Sequence, residues 1–210
     1  VKILTSSFDN GFPEDFARYM LAYIKPGMSF VFVASEFMNI YEKTDSYFHF
    51  FLNMFSEIGI IFGSAKVIDG RMSKEEAQDC VKNADVIWLA GGDTPTQFSY
   101  LKSYGLIDCI KENRGIIIGM SAGAINMAKT AICTLTCGHD ELKIYEGLGL
   151  VDFSIEPHFD KNNISKELLE LSDKYSIYGI CEDSAIICTD DEKLIIGDVY
   201  LIENGHAAKV

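Results

Sequence analysis

The sequence predicts an α/β protein of three layers: a mostly parallel sheet, helices on both of its faces, and a terminal β-hairpin at one edge. Three observations carry this. Short apolar runs alternate along the first half of the chain with stretches whose apolar residues recur at helical spacing. The links between them are short and polar, as right-handed crossover connections require. The runs themselves, Ser29-Phe30-Val31-Phe32-Val33-Ala34 above all, are apolar without alternation, the pattern of a strand covered on both faces.

Taken in order, Val1 to Ser6 reads as the first strand and leads into a polar loop, Ser7 to Gly11. Pro13 opens a helix that places Phe16, Met20 and Ile24 on one face, and Pro26-Gly27 ends it. Ser29 to Ala34 is the second strand. An aromatic helix follows from Lys43 to Ile58, stopped by Gly59; its Phe48, Phe50, Phe51, Met54 and Phe55 suit either core or the face of a homodimer. Ile60 to Ile68 is strand-like. Ser73 to Asn83 is a helix whose Ser73 and Glu76 have the spacing of a capping box. Asp85 to Ala90 gives the next strand, with Trp88 as a core residue, running into Gly91-Gly92-Asp93-Thr94. Helical patterns at 96–103 and 106–113 lead to a strand from Gly115 to Gly119 and an Ala-rich helix behind it. The second half is richer in strands: Ala131–Cys137, Gly149–Ile155, Ile177–Cys181, Ala185–Thr189 and Leu194–Ile202, with one helix at Ser165–Lys174. The turn residues Thr189 to Lys193 mark the hairpin. With no repeat or linker, one domain over residues 1–210 is expected.

Composition narrows the function. Apolar residues make up 48% of the 210 and charged residues 23%, enough for a self-sufficient core. A formal net charge of −13, with no basic cluster, argues against nucleic acid and against an anionic membrane surface as partners. Six cysteines without a C-x-x-C pair, mostly in apolar stretches, read as free core thiols, and four scattered histidines give no metal site. No signal segment or membrane-spanning run is evident, so a cytoplasmic location is expected.

Chemistry concentrates at Gly119-Met120-Ser121-Ala122-Gly123-Ala124. A buried strand turns there through Ser121 into a helix, which is the shape of a nucleophile elbow or of a plain tight turn. Unpaired N–H groups at the helix start would stabilise an oxyanion beside the serine. A serine needs a base, and of the histidines His158 has the most specific setting, directly after the strand-ending Ile155-Glu156-Pro157. Gly91-Gly92 ends another strand and offers bare backbone for an oxyanion hole with the amide of Ala122. Alternatively it forms an ordinary turn in which Asp93 or Thr94 caps the following helix. In an open parallel sheet both glycine-rich strand ends face the same edge.

Three segments together, Leu89-Ala90-Gly91-Gly92-Asp93-Thr94, Ile118 to Ala124, and Ile155-Glu156-Pro157-His158-Phe159, resemble the peptidase E family of serine aspartyl dipeptidases, relatives of the cyanophycinases. The likeness extends to Tyr178 to Ala185. It implies a fold similar to class I glutamine amidotransferases. It also implies Ser121 as nucleophile, His158 as general base and then acid, and Gly91 or Gly92 with Ala122 as oxyanion donors. No cofactor is implied, and the partner is a dipeptide or short peptide, with an Asp-X substrate as the family preference. Asp93 and Glu182 fall beside these motifs as candidate substrate-binding residues.

Two departures stand out. The dipeptidases carry an aspartate soon after the serine as third triad member; here that region is Leu135 to Glu141. Either Asp140 or Glu141 orients His158 after a rearrangement of the loop, or both are a solvated acidic loop and the enzyme runs on a Ser–His dyad. The family's substrate-clamping arginines after the histidine are replaced by Asp160-Lys161-Asn162-Asn163-Ile164-Ser165-Lys166, and lysine lacks the bidentate fork of arginine. The expected function is a serine peptidase acting on short peptides. A cyanophycinase-like peptidase or esterase with the same machinery, and a silent α/β binding domain, are the alternatives.

Overall fold

The computed structural model describes residues 1–8 and 11–210. Asp9 and Asn10, in the loop expected from Ser7 to Gly11, lie outside the described residues. In chain order the first half runs β1 (Lys2–Thr5), α1 (Glu14–Tyr23), β2 (Ser29–Val33), α2 (Tyr41–Glu57), β3 (Ser64–Ile68), α3 (Lys74–Asn83), β4 (Val86–Leu89), α4 (Thr94–Ser103), α5 (Leu106–Glu112), β5 (Ile116–Met120) and α6 (Ala122–Met127). The second half runs β6 (Thr130–Cys133), β7 (Lys143–Glu146), β8 (Ser154–Pro157), α7 (Lys166–Leu171), β9 (Ile177–Ile180), β10 (Ala185–Cys188), β11 (Lys193–Ile196), β12 (Val199–Glu203) and β13 (His206–Lys209).

Seven strands form the main sheet in the order β11-β10-β1-β5-β4-β2-β3. The five from β1 to β3 are mutually parallel, and the antiparallel hairpin β10–β11 closes one edge as the turn residues predicted. Alternation along each central strand feeds two cores. Ile3, Phe30, Phe32, Trp88 and Ile118 point to the face covered by α1 and α2. Leu4, Val31, Val33, Leu89 and Ile117 point to the face covered by α3, α5 and α6. Because both faces are covered, the strands carry no polar alternation. Trp88 is fully buried against Phe51, their ring centroids 4.3 Å apart. Phe48, Phe51, Met54 and Phe55 are core as well, whereas Phe50 keeps 43% of its surface exposed.

The second half builds a separate four-stranded sheet, β13-β12-β9-β8, and a small antiparallel pair, β6–β7. The stretch Leu194–Ile202, read as one strand, is two. Gly197 at φ +77 turns the chain out of the main sheet as β11 and into the smaller one as β12. β8 covers only the end of the expected Gly149–Ile155 strand, and Val151 before it makes an isolated bridge to Ala128. β3 likewise begins at Ser64, not Ile60. The capping box at Ser73 and Glu76 is formed as predicted.

One close approach sets the geometry of the site. A Cβ on Gly123 would lie 2.2 Å from the backbone oxygen of Leu89, and one on Gly119 would lie 2.7 Å from the Gly123 carbonyl. The helix α6 therefore rests directly on β4 and β5, where backbone cannot yield. Gly123→Ala is expected to destabilise the protein by about 1–3 kcal/mol, read as a lower urea midpoint at unchanged slope.

Candidate active site

The site is assembled from the carboxyl ends of strands in both sheets. From the main sheet, β5 delivers Ser121, which adopts φ +50 and ψ −110, a conformation side-chain-bearing residues seldom take. It is pinned on both sides: its N–H donates to the Thr5 carbonyl at 2.9 Å, and its own carbonyl accepts the Ile125 N–H at 3.0 Å. The turn thrusts the hydroxyl away from the sheet, which is what an elbow does.

Ser121 Oγ lies 2.8 Å from His158 Nε2. His158 follows β8 with φ +55, and its backbone N–H donates to Ser6 Oγ at 2.7 Å. On the other side of the ring, Nδ1 is 2.6 Å from Glu182 Oε1. The second Glu182 oxygen accepts hydrogen bonds from Ser6, at 3.0 Å, and from Ser7. Burial alone would push the Glu182 carboxyl up. The Ser7 hydroxyl, the His158 imidazole and Ser6 outweigh it and hold the pKa below its ordinary value. An ionised carboxylate can only accept, so Nδ1 carries the hydrogen and Nε2 presents its lone pair to the Ser121 hydroxyl.

The carboxylate at Nδ1 is therefore Glu182, which the sequence reading offered as a substrate-binding candidate. Asp140 is exposed in its loop, and Glu141 pairs with Lys143 at 3.0 Å; neither is the partner of Nδ1. Parallel pairing explains the outcome. β8 and β9 align Pro157 with Ile180, so the residues just beyond each strand, His158 and Glu182, emerge side by side. A carboxylate directly after the next parallel strand was the available clue. Ser6 and Ser7, at the end of β1, were missed because a serine pair after a strand looks like any polar turn.

The glycines lie where expected. Gly91 and Gly92 border the same cavity as Ser121 and His158. A Cβ on Gly91 would come 3.4 Å from that of Ser121, and one on Gly92, at φ +144, would strike Ser35 Oγ. Ala122 is buried and opens α6, so only its backbone can serve the site, through N–H groups that a first helical turn leaves unpaired. Asp93 is a helix cap, accepting the Thr96 N–H at 2.9 Å, and is not among the residues lining the cavity.

On β8, two residues before His158, Glu156 is 1% exposed, and both its oxygens lie 2.8–2.9 Å from Thr134 Oγ1. Burial pushes its pKa up to about 8, so it is neutral at pH 7. This links folding to pH. The folded protein holds the proton between the ordinary value of 4.5 and about 8, so stability falls as pH rises through that window. Glu156→Gln should flatten this slope in urea titrations from pH 5 to 9; an unchanged slope would mean that the carboxyl is not the titrating group.

The model of Peptidase family S51 matches residues 5–196. Peptidase E of Nostoc sp. (strain PCC 7120) is 24% identical over 228 residues, spanning 98% of this chain and 90% of that protein. A probable alpha-aspartyl dipeptidase of Drosophila melanogaster is 26% identical over 151 residues, 62% of this chain and 61% of its own length. The crystal structure of a peptidase from an acI-B1 Actinobacterium superposes with a TM-score of 0.74 at 18% identity, covering 100% of this chain and 93% of that one, a likeness of fold.

Proposed function

The chain belongs to peptidase family S51 and is a serine peptidase, and from that premise we propose that it hydrolyses dipeptides or short peptides through an acyl-enzyme on Ser121. The observation that carries this reading is the unbroken chain Ser121 Oγ–His158 Nε2 at 2.8 Å and His158 Nδ1–Glu182 at 2.6 Å. Ser121 attacks the scissile carbonyl while His158 takes its proton. His158 then gives that proton to the leaving amine, and a water molecule, activated by the same nitrogen, releases the acyl group. Glu182 does not take the proton; it holds the tautomer and stabilises the imidazolium that forms in each half-reaction. The N–H groups of Ala122 and of Gly91 or Gly92 receive the oxyanion, each donor contributing about 3 kcal/mol to the transition state. The six free cysteines support a cytoplasmic location.

Membership of the family argues against a silent binding domain, and the esterase alternative shares every residue named above. Labelling with a fluorophosphonate followed by peptide mapping is expected to place the adduct on Ser121; a folded, active protein that is labelled elsewhere would refute the assignment. Ser121→Ala and His158→Ala should each lower kcat by roughly a thousandfold or more, because the two act as a unit. Glu182→Gln should cost about a hundredfold to ten-thousandfold, since an amide permits the wrong tautomer. Asp140→Ala and Glu141→Ala should leave kcat within about twofold, as expected of solvent-facing loop residues. Loss of activity in either loop variant comparable to that of Glu182→Gln would assign the orienting acid differently.

A further inference from the structure

The cavity in front of Ser121 is walled by rings. It encloses about 450 Å³ and is lined by Ser121, His158, Gly91 and Gly92 on the side of the chemistry. Its lining also includes Phe8 from the loop after β1, Phe32 from β2, Tyr47, Phe50 and Phe51 from α2, and Met120 from β5. Phe8, Phe32 and Phe51 are buried members of the core beneath α1 and α2, so the inner wall of the cavity is the core itself. Tyr47 and Phe50 are different: they face the cavity while keeping 46% and 43% of their surface exposed. Large aromatic surface left open beside a reacting group is where an apolar ligand gains most from leaving water.

One cation borders this apolar wall. Among the described residues that line the cavity, Lys43 is the one permanently charged side chain, and its ammonium lies over the Tyr47 ring, 5.9 Å from the centroid. The chain has three arginines and none reaches this cavity. Arg18 pairs with Glu14 and Asp15 on α1, Arg71 is bound between Asp45 and Asp69, and Arg114 precedes β5 at the opposite end of the strand from Ser121. A carboxylate side chain entering among the phenyl rings would shed its water without the bidentate partner that compensates for it.

Resting on the reading of Ser121 as nucleophile, we propose that this cavity receives a bulky apolar side chain on the acyl side of the scissile bond. The enzyme then releases N-terminal residues such as Phe or Leu in preference to Asp. Phe50, 43% exposed and packed edge-on against core Phe51 at 5.3 Å between ring centroids, is the specificity-determining residue least embedded in the core.

The experiment compares kcat/KM for Phe-Ala, Leu-Ala, Ala-Ala and Asp-Ala, which share one leaving group. Phe-Ala and Leu-Ala should exceed Asp-Ala by about tenfold or more. Phe50→Ser should lower kcat/KM for Phe-Ala by about tenfold and shrink the Phe-Ala to Ala-Ala ratio with it; an unchanged ratio would overturn the role of Phe50. Calorimetric binding of Phe-Ala and Asp-Ala to the Ser121→Ala protein separates this inference from the mechanism. Tighter binding of Phe-Ala supports the pocket even where hydrolysis fails. Preference for Asp-Ala, lost in Lys43→Met, would overturn it and leave the Ser121 adduct intact as evidence for the nucleophile.

Discussion

Gly119 and Gly123 let α6 lie against β4 and β5 at a separation that any side chain would forbid, and the rest of the site follows from that contact. The helix must start immediately after the strand ends, so the single residue between them, Ser121, is forced into its strained turn. The hydrogen bonds to Thr5 and Ile125 hold it there. The same packing brings the start of α6, with its unpaired N–H groups, beside Gly91 at the end of β4. The proposed nucleophile and oxyanion donors thus share one origin in a backbone-to-backbone approach.

The base arrives from elsewhere. His158 and Glu182 end two parallel strands of the smaller sheet, and Ser6 and Ser7 end β1 of the larger one. Ser6 touches all of it: it accepts the His158 N–H and donates to Glu182. With one hydrogen to give, it uses that hydrogen on the carboxylate and leaves the imidazole N–H for Glu182 Oε1. A short hydroxyl-rich turn therefore bridges the sheets and keeps Ser121 and His158 in register.

What could be read from the chain was whatever a local pattern encodes. Apolar strands buried on both faces, the Ser73 capping box, the elbow and the Pro157-His158 strand end are all contained in a few consecutive residues. Partnerships set by pairing between distant strands were not. Glu182 meets His158 only because β8 and β9 align Pro157 with Ile180, a register that neither segment states alone. Asp140 and Glu141 were attractive because they are near in sequence, yet their loop leaves them in solvent. β7 and β13 escaped notice for a related reason. Lys143-Ile144-Tyr145-Glu146 and His206-Ala207-Ala208-Lys209 are short, with charged or imidazole ends, and extend only because a neighbour pairs with them. Gly197 hid a change of sheet inside one apolar run.

The aromatic wall in front of Ser121 ties two kinds of selection together. Phe32 and Phe51 shape the cavity and also fill the core, so a change there alters substrate fit and folding at once. Lys43, Tyr47 and Phe50, one to two helical turns apart on the open face of α2, shape it from exposed positions, Phe50 resting edge-on against Phe51. With the cavity as the proposed substrate pocket, the changes that retune substrate fit at least cost to folding fall on a single helical stripe. A new specificity can be tried there by one substitution at a time, at less cost to the fold than a change at Phe32 or Phe51.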